Sequence, residues 1–378
     1  MIAELFAHRG WPFVVFMVGA CIGSFLNVVI HRLPRGLGVS EPKRSFCPHC
    51  REPIPWYRNI PLVTWLVQRG KCGACGGPIA FRYFAVELLT AVLFVVCWLL
   101  FPPLAALFAM VFCVLLVSIS FIDAEHMVIP VHFTWAGMVI GVLAGVTAPV
   151  LVTLAGEPLA APSWRGGGEA LLGLAAGWGV LAAVVLLGKV CFGARNLRFD
   201  KATEWYLREP ETEEEELSFV IGDEQIGWSE IFYRKRDRIE IKGHGVLLDG
   251  NRTKATEVII RADAVDLHGE SHDLEKIEAL SGKAETVRIP REAMGAGDPP
   301  LLGMIGAFIG WHGVLFTLFA SCIFALVAAL LGRVGFGRPL PFGPFLALGG
   351  LAWLFGGWQL WQLYFEFVGG IGMEPPVE

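Results

Sequence analysis

The chain has 378 residues, 54% of them hydrophobic, and a formal net charge of −5. Its mean hydropathy is +0.57, and several apolar runs approach the roughly 20 residues that a membrane-spanning helix needs. This excludes an ordinary water-soluble enzyme and fits an all-α polytopic membrane protein of about seven or eight transmembrane helices. The lipid bilayer is its first expected partner, and no nucleic-acid partner is expected.

In chain order, run lengths predict spans at about 12–30, 84–101, 104–122, 131–153, 169–191, 301–331 and 344–365. The first run has a weakly charged flank before it and basic residues after it, so it reads as an uncleaved helix closing a segment 1–30. Residues 31–85 carry Arg32, Arg35, Lys43, Arg44, Arg51, Arg58, Arg69, Lys71 and Arg82 against only Glu41 and Glu52. By the positive-inside rule this loop is cytoplasmic and the amino terminus lies outside.

Four of the nine cysteines fall in this loop as two pairs, Cys47-Pro48-His49-Cys50 and Cys72-Gly73-Ala74-Cys75. Each pair is followed two residues later by Pro-Ile (Pro53-Ile54, Pro78-Ile79), a small repeat that predicts two similar turns facing each other. Four thiolates from two such knuckles suit a tetrahedral Zn²⁺ in a structural role, since four Cys ligands leave no open position. Two disulfides are the alternative, disfavoured by a reducing cytoplasm. His49 reads as a turn residue. Cys21, Cys97, Cys113, Cys191 and Cys322 lie in or at the end of apolar runs and read as small packing residues.

Residues 86–191 hold the next helices and Asp123, which ends the third run. Counting spans puts it at the cytoplasmic face. An acid at membrane depth is costly and is a functional hypothesis by default, although a carboxylate snorkelling to water is the bland alternative. Pro130 is expected to open the next helix. Glu87 is a further intramembrane acid, with an interfacial residue paired with an arginine such as Arg82 as the bland alternative, and Glu125 is expected on a different helical face from Asp123.

A step in charge marks the next segment. Residues 192–297 hold 23 acidic and 16 basic residues, a balance of −7, while the remainder holds 12 and 14, a balance of +2. Residues 192–294 read as an inserted soluble cytoplasmic domain. Its charge run Glu209–Glu216 reads as a solvated linker. Runs at Ser218–Ile221, Arg238–Ile241, Gly245–Leu248 and Glu257–Ile260 read as strands of a small β-rich domain of roughly 75 residues. It feeds directly into Glu292–Asp298, so it is expected to sit over the active site, and a tolerated insertion is the alternative.

Residues 295–378 begin with Gly295-Ala296-Gly297-Asp298. Followed by Pro299 and Pro300, Asp298 reads as a helix N-cap with proline at the first position. Capping does not explain the two glycines, which allow close backbone approach. The 301–331 run is long for one span, and Trp311-His312-Gly313 is expected to break it. That break would make Arg333 and Arg338 cytoplasmic and leave Glu366, Glu374 and Glu378 outside. By the span count, the fifth helix delivers 192–297 to the cytoplasm and Asp298 re-enters from there, so Asp123 and Asp298 face the same side. If they meet, one proton is shared between them, the chemistry of an aspartyl protease.

Several motifs occur in an order that resembles the type IV prepilin peptidases, membrane aspartyl enzymes with a glycine-x-glycine-aspartate motif. Gly23-Ser24-Phe25-Leu26-Asn27 through Leu33-Pro34 is similar to the end of that family's first helix. Asn59-Ile60-Pro61, Arg69-Gly70 and Arg82 through Glu87 flank the cysteines as in the family. Glu292–Asp298, Ile305–Trp311 and Pro341–Ala347 resemble its catalytic region and the segment before its last helix. The resemblance covers nearly everything but 192–294. It implies a bacterial inner-membrane, multi-pass enzyme with its active site facing the cytoplasm. Such an enzyme removes the short basic leader from prepilins and pseudopilins and methylates the new amino terminus with S-adenosylmethionine. Asp123 and Asp298 match the catalytic aspartates, and methylation is associated with the amino-terminal half. The resemblance assigns no residue to the methyl donor. Residues 192–294 are where a pilus or secretion assembly partner is expected to dock, if one does.

There are departures. Val131 follows Pro130 where the family often has Asp, and Pro300 stands where it commonly has Lys. The alternatives are a peptidase without methylation, or a transporter or scaffold whose aspartates handle protons or cations.

Overall fold

The computed structural model describes residues 10–38, 46, 47, 49–154, 161–192, 194–210, 216–232, 237–267, 269–290, 295, 297–332 and 340–371. Arg333, Arg338, Glu374, Glu378, the core of the acidic run and most of Glu292–Ala296 lie outside the described residues. The chain divides into two compact units, 1–182 with 296–378, and 183–295.

The first unit is helical. Helices α1 (Trp11–Arg32), α2 (Val63–Val67), α3 (Phe81–Leu100), α4 (Pro103–His126), α5 (Val131–Thr147) and α6 (Trp164–Phe192) precede the second unit. After it come α8 (Asp298–Leu331), α9 (Gly343–Ala352), a π turn (Trp353–Gly357) and α10 (Trp358–Ile371). Among the described residues five helices are long and apolar enough to cross a membrane: those beginning at Trp11, Phe81, Pro103, Trp164 and Asp298. In lipid a helix is favoured because it satisfies all its own backbone groups. Helix α5 has 17 residues, shorter than expected, because the chain turns into Pro149–Leu151 instead of continuing to 153. Pro130 is the cap of α5 and not its first residue.

Small residues draw the helices together. On α1, Gly19 lies against the Ala91 backbone and Gly23 against that of Glu87. On α5, Gly137 and Gly141 receive Met304 and Ala307. On α6, Gly173 and Gly177 lie against the Gly306 and Leu302 backbones.

Helix α8 is two helices. Gly310, at φ 72° and ψ 175°, interrupts it one residue before the expected break. The chain turns back there. Gly306 lies against Val314, eight residues on, a contact that a straight helix would forbid. Down the second half, Gly313 meets Trp353, Thr317 meets Gly349, and the Ser321 hydroxyl donates to Phe345 O at 3.0 Å. Residue numbers rise on one partner as they fall on the other, so this half runs antiparallel to α9.

The second unit is an antiparallel sheet of β1 (Ala194–Arg208), β2 (Ser218–Ile221), β3 (Glu224–Gly227), β4 (Arg238–Leu248), β5 (Asn251–Arg252), β6 (Glu257–Arg261), β7 (Ala264–Leu267), β8 (Glu270–Asp273) and β9 (Leu280–Pro290). The order is β3-β2-β1-β9-β4-β6-β7-β8, with β5 on β4. A short helix α7 (Trp228–Ile231) follows β3. Trp205, Phe219, Ile239, Ile241, Val258, Ile260, Val265 and Val287 form its core. The runs expected at 238–241 and 245–248 are one strand, irregular where it passes Gly243 and His244. Asp249-Gly250 turns it into β5 with both residues at positive φ, as a two-residue hairpin requires. Strands β1 and β9 escape the sequence reading. β1 mixes charged and apolar residues with little burial, so it shows no apolar run. The domain is accordingly larger than 75 residues. Its two ends pair, Ala194 opposite Pro290, so chain enters and leaves it side by side.

Candidate active site and metal centre

Asp123 lies in the last turn of α4. That helix closes with Met127 in the left-handed region, its N–H bonded to Asp123 O at 2.8 Å. The Asp123 side chain is 5% exposed. The Gly343 N–H donates to its Oδ2 at 3.0 Å. Gly343 opens α9, so the carboxylate sits at the positive end of that helix.

Asp298 is also 5% exposed. It is the first residue of α8 with Gly297 as the cap, which corrects the expected N-cap position by one residue. Gly297 rests against the Ile129 side chain, in the link between α4 and α5. Helices α8 and α9 start level, because Ile305 and Gly350, each seven residues in, are in contact. Phe112 of α4 stacks on Phe308 of α8 at 4.7 Å between centroids. Asp123, bonded to the start of α9, and Asp298, at the start of α8, thus occupy one end of the helical unit. Two buried acids at one end of a bundle can share a proton and activate water.

The arginine pairing offered for Glu87 is not formed among the described residues. Arg82 pairs with Glu125, not with Glu87. Glu87 instead accepts the Leu62 N–H at 2.7 Å. Gly343 was missed as a site residue, since its signal, a glycine at a helix start, is common. The departures Val131 and Pro300 remove no acid.

The four loop cysteines converge. Cys47, Cys50, Cys72 and Cys75 place their sulfurs within 4.8 Å of one another, with Cys47 and Cys75 at 3.9 Å. Tetrahedral Zn–S bonds of about 2.3 Å put sulfurs about 3.8 Å apart, so the residues fit that ion. The repeat in sequence is a repeat in structure. Cys47 N–H bonds Glu52 O and Cys72 N–H bonds Gly77 O, while Arg51 and Gly76 N–H return to Cys47 and Cys72 O. Bridges Phe46–Pro53 and Lys71–Pro78 close the two turns. Amides also point at sulfur, Ala74 N–H to Cys72 and Gly77 N–H to Cys75, each at 3.4 Å.

The metal-free thiols would ionise in a wide spread. The Cys75 and Ala74 N–H groups, aided by the Cys47 and Cys75 sulfurs, lower the Cys72 thiol to about 6. For Cys50 the Glu52 N–H lowers the thiol, but desolvation and the sulfurs of Cys75, Cys47 and Cys72 outweigh it and raise it to about 12. A divalent ion removes that conflict by displacing the protons. The thiols are free of disulfides. Cys97 and Cys113 pack together in the helical core with sulfurs 3.7 Å apart. The Cys191 side chain lies outside the described residues.

Residues 17–101 match the bacterial peptidase A24 N-terminal domain, and residues 282–330 match the type IV leader peptidase family. A prepilin leader peptidase/N-methyltransferase of Myxococcus xanthus (strain DK1622) is 46% identical over 129 residues, 34% of this chain and 38% of the relative. One of Aeromonas hydrophila is 35% identical over 229 residues, 53% of this chain and 73% of the relative. One of Aeromonas salmonicida is 27% identical over 403 residues, 97% of this chain and 99% of the relative. No solved structure matches the chain.

Proposed function

The chain belongs to the type IV leader peptidase family, and from that membership we propose that it removes the basic leader of type IV prepilins or pseudopilins and N-methylates the new amino terminus. It is a multi-pass protein of the bacterial inner membrane, with a peptidase and a methyltransferase activity. Asp123 and Asp298 are its catalytic pair. The observation that carries this is their placement at one end of the bundle, two nearly fully buried acids, Asp123 bonded to the start of α9 and Asp298 at the level start of α8.

In this reading the ionised partner takes a proton from water while the protonated one polarises the scissile carbonyl. The titration belongs to the pair, not to either residue. The Gly343 N–H orients Asp123. The active site faces the cytoplasm, as the basic residues of 31–85 argue. Counting both halves of α8 gives eight passes, with α9 and α10 as the last. Cys47, Cys50, Cys72 and Cys75 hold a structural zinc that ties the loop into one body. The methyl donor is S-adenosylmethionine. The inserted unit, which has its own core, offers a surface to pilus or secretion assembly components.

Leader cleavage by membranes carrying wild type or Asp298→Asn tests the reading. Asn is nearly isosteric with Asp and, with Gly297 as the cap, removes no capping group while it removes the acid. A folded, inactive variant supports the pair. Equal cleavage by both proteins would return Asp298 to a structural role and revive the transporter or scaffold alternative.

A further inference from the structure

Helices α1 and α3, the four-Cys loop and Glu125 at the end of α4 line an open cavity of about 660 Å³. This lies in the range of roughly 300–1,000 Å³ typical of small-molecule sites. Among its described lining residues are neither Asp123 nor Asp298. The helix packing already described does not account for it. We propose that this cavity binds S-adenosylmethionine, with Trp65 and Phe84 holding the adenine, Glu87 facing the sulfonium and Asn27 accepting a donor of the ligand. The proposal rests on the methyltransferase reading above and adds to it the place of the donor.

Three observations carry it. The first is an orphaned polar atom. Asn27 is 3% exposed and lines the cavity. Its Nδ2 donates to Tyr83 O at 3.0 Å, while its Oδ1 is buried with no partner. Arg82 Nε, also on the lining residues, is in the same state. Buried groups left so are expensive, and a ligand with matching polar groups relieves them. The second is an aromatic wall. The Trp65 and Phe84 rings lie 5.1 Å apart, and the Trp65 indole N–H is fixed on Ile79 O at 3.3 Å. Every nucleobase can stack on such a wall. The third is charge. Glu87 and Glu125 share the lining with Arg32 and Arg82. S-adenosylmethionine carries a sulfonium, an ammonium and a carboxylate, so it needs both signs in one pocket. A purely acidic or purely basic cavity would not suit it.

The cavity is also placed to receive the peptidase product. Glu125 lines it and pairs with Arg82, two residues beyond Asp123 on the same helix. The cavity thus borders the last turn of α4, the turn that also carries Asp123. In the transfer, the lone pair of the amine nitrogen forms a bond to the methyl carbon. The carbon–sulfur bond breaks with its electrons remaining on sulfur, which becomes a neutral thioether. One proton leaves the nitrogen for a lining carboxylate and passes to water.

Equilibrium dialysis of the detergent-solubilised full chain against tritiated S-adenosylmethionine, with no peptide present, reads binding alone. Trp65→Leu is expected to weaken binding about tenfold or more. Glu87→Gln keeps an acceptor for the Leu62 N–H but removes the charge. It is expected to weaken S-adenosylmethionine at least tenfold more than S-adenosylhomocysteine, which lacks the sulfonium. Zinc content and gel-filtration profile report folding, and if Trp65→Leu fails them the conservative Glu87 variant decides. Unchanged affinity in folded variants of a binding wild type overturns this location and leaves the methyltransferase reading standing. No binding by wild type overturns both.

Discussion

Gly343→Ala separates the reading of Asp123 as a positioned acid from one in which it merely ends a helix. A Cβ built on Gly343 stands 2.6 Å from Asp123 Oδ2, 3.1 Å from Cγ and 3.4 Å from Cβ. Ordinary contact begins near 3.4 Å, so the oxygen must retreat by 3.4 − 2.6 = 0.8 Å. The same retreat stretches the 3.0 Å hydrogen bond from Gly343 N–H past a useful length. The backbone at Gly343 is not at positive φ, so alanine itself brings no strain. Only the end of a side chain has to move. The stability cost is then that of one charge-assisted hydrogen bond, about 1–3 kcal/mol. The catalytic cost is larger, because a misplacement of about 1 Å at a reacting group loses on the order of 100-fold in rate. We expect a folded enzyme whose leader cleavage falls roughly 30–100-fold. The assay is single-turnover cleavage of a prepilin in detergent, with thermal unfolding measured in parallel. Gly179→Ala, which meets nothing within 4 Å, is the control for a helix glycine in the same unit. Wild-type cleavage by Gly343→Ala would refute the reasoning, and so would a loss that only tracked unfolding.

Gly310→Ala places a side chain in a region of backbone conformation almost reserved for glycine and 2.6 Å from Val152 O. It should lower stability by about 1–3 kcal/mol or more, read as a drop in unfolding temperature, and an unchanged temperature would argue against the reversal of α8. Purified protein should carry close to one zinc per chain by elemental analysis, with Cys72→Ser losing most of it; full-length protein with no metal under reducing conditions would remove the structural role of the knuckles. Arg198 pairs with Thr286, so replacing 199–285 by a two-residue Asn-Gly turn should leave a protein that inserts and folds. Aggregation of that protein would mean the helical unit depends on the insert, and cleavage at the wild-type rate would show the insert has no essential catalytic part.

The helices were legible because an apolar run in lipid has one economical conformation, and a run can be counted. The knuckles were legible because two identical local spacings dictate two identical turns. The expectation that Asp123 and Asp298 face one side followed from the parity of the five spans before Asp298, whether or not the 301–331 run is broken. The sheet was half legible. Short strands with buried faces, such as Ser218–Ile221 and Glu257–Arg261, showed as apolar runs, whereas β1 and β9 hold their register through each other and not through composition.

Run length, charge and spacing thus determined a polytopic membrane protein with a four-thiol loop, an inserted domain and two acids at membrane depth. Those are properties of neighbouring residues, and neighbours are what a sequence lists. Only the tertiary structure decided that Gly343 binds Asp123 across 220 positions of chain. It alone gave Arg82 to Glu125 and left Glu87 to Leu62. It alone opened a cavity beside an unpartnered Asn27 oxygen. Each of these depends on which helices touch and at what height. That is settled by small-residue packing between segments far apart in the chain, which no local pattern encodes.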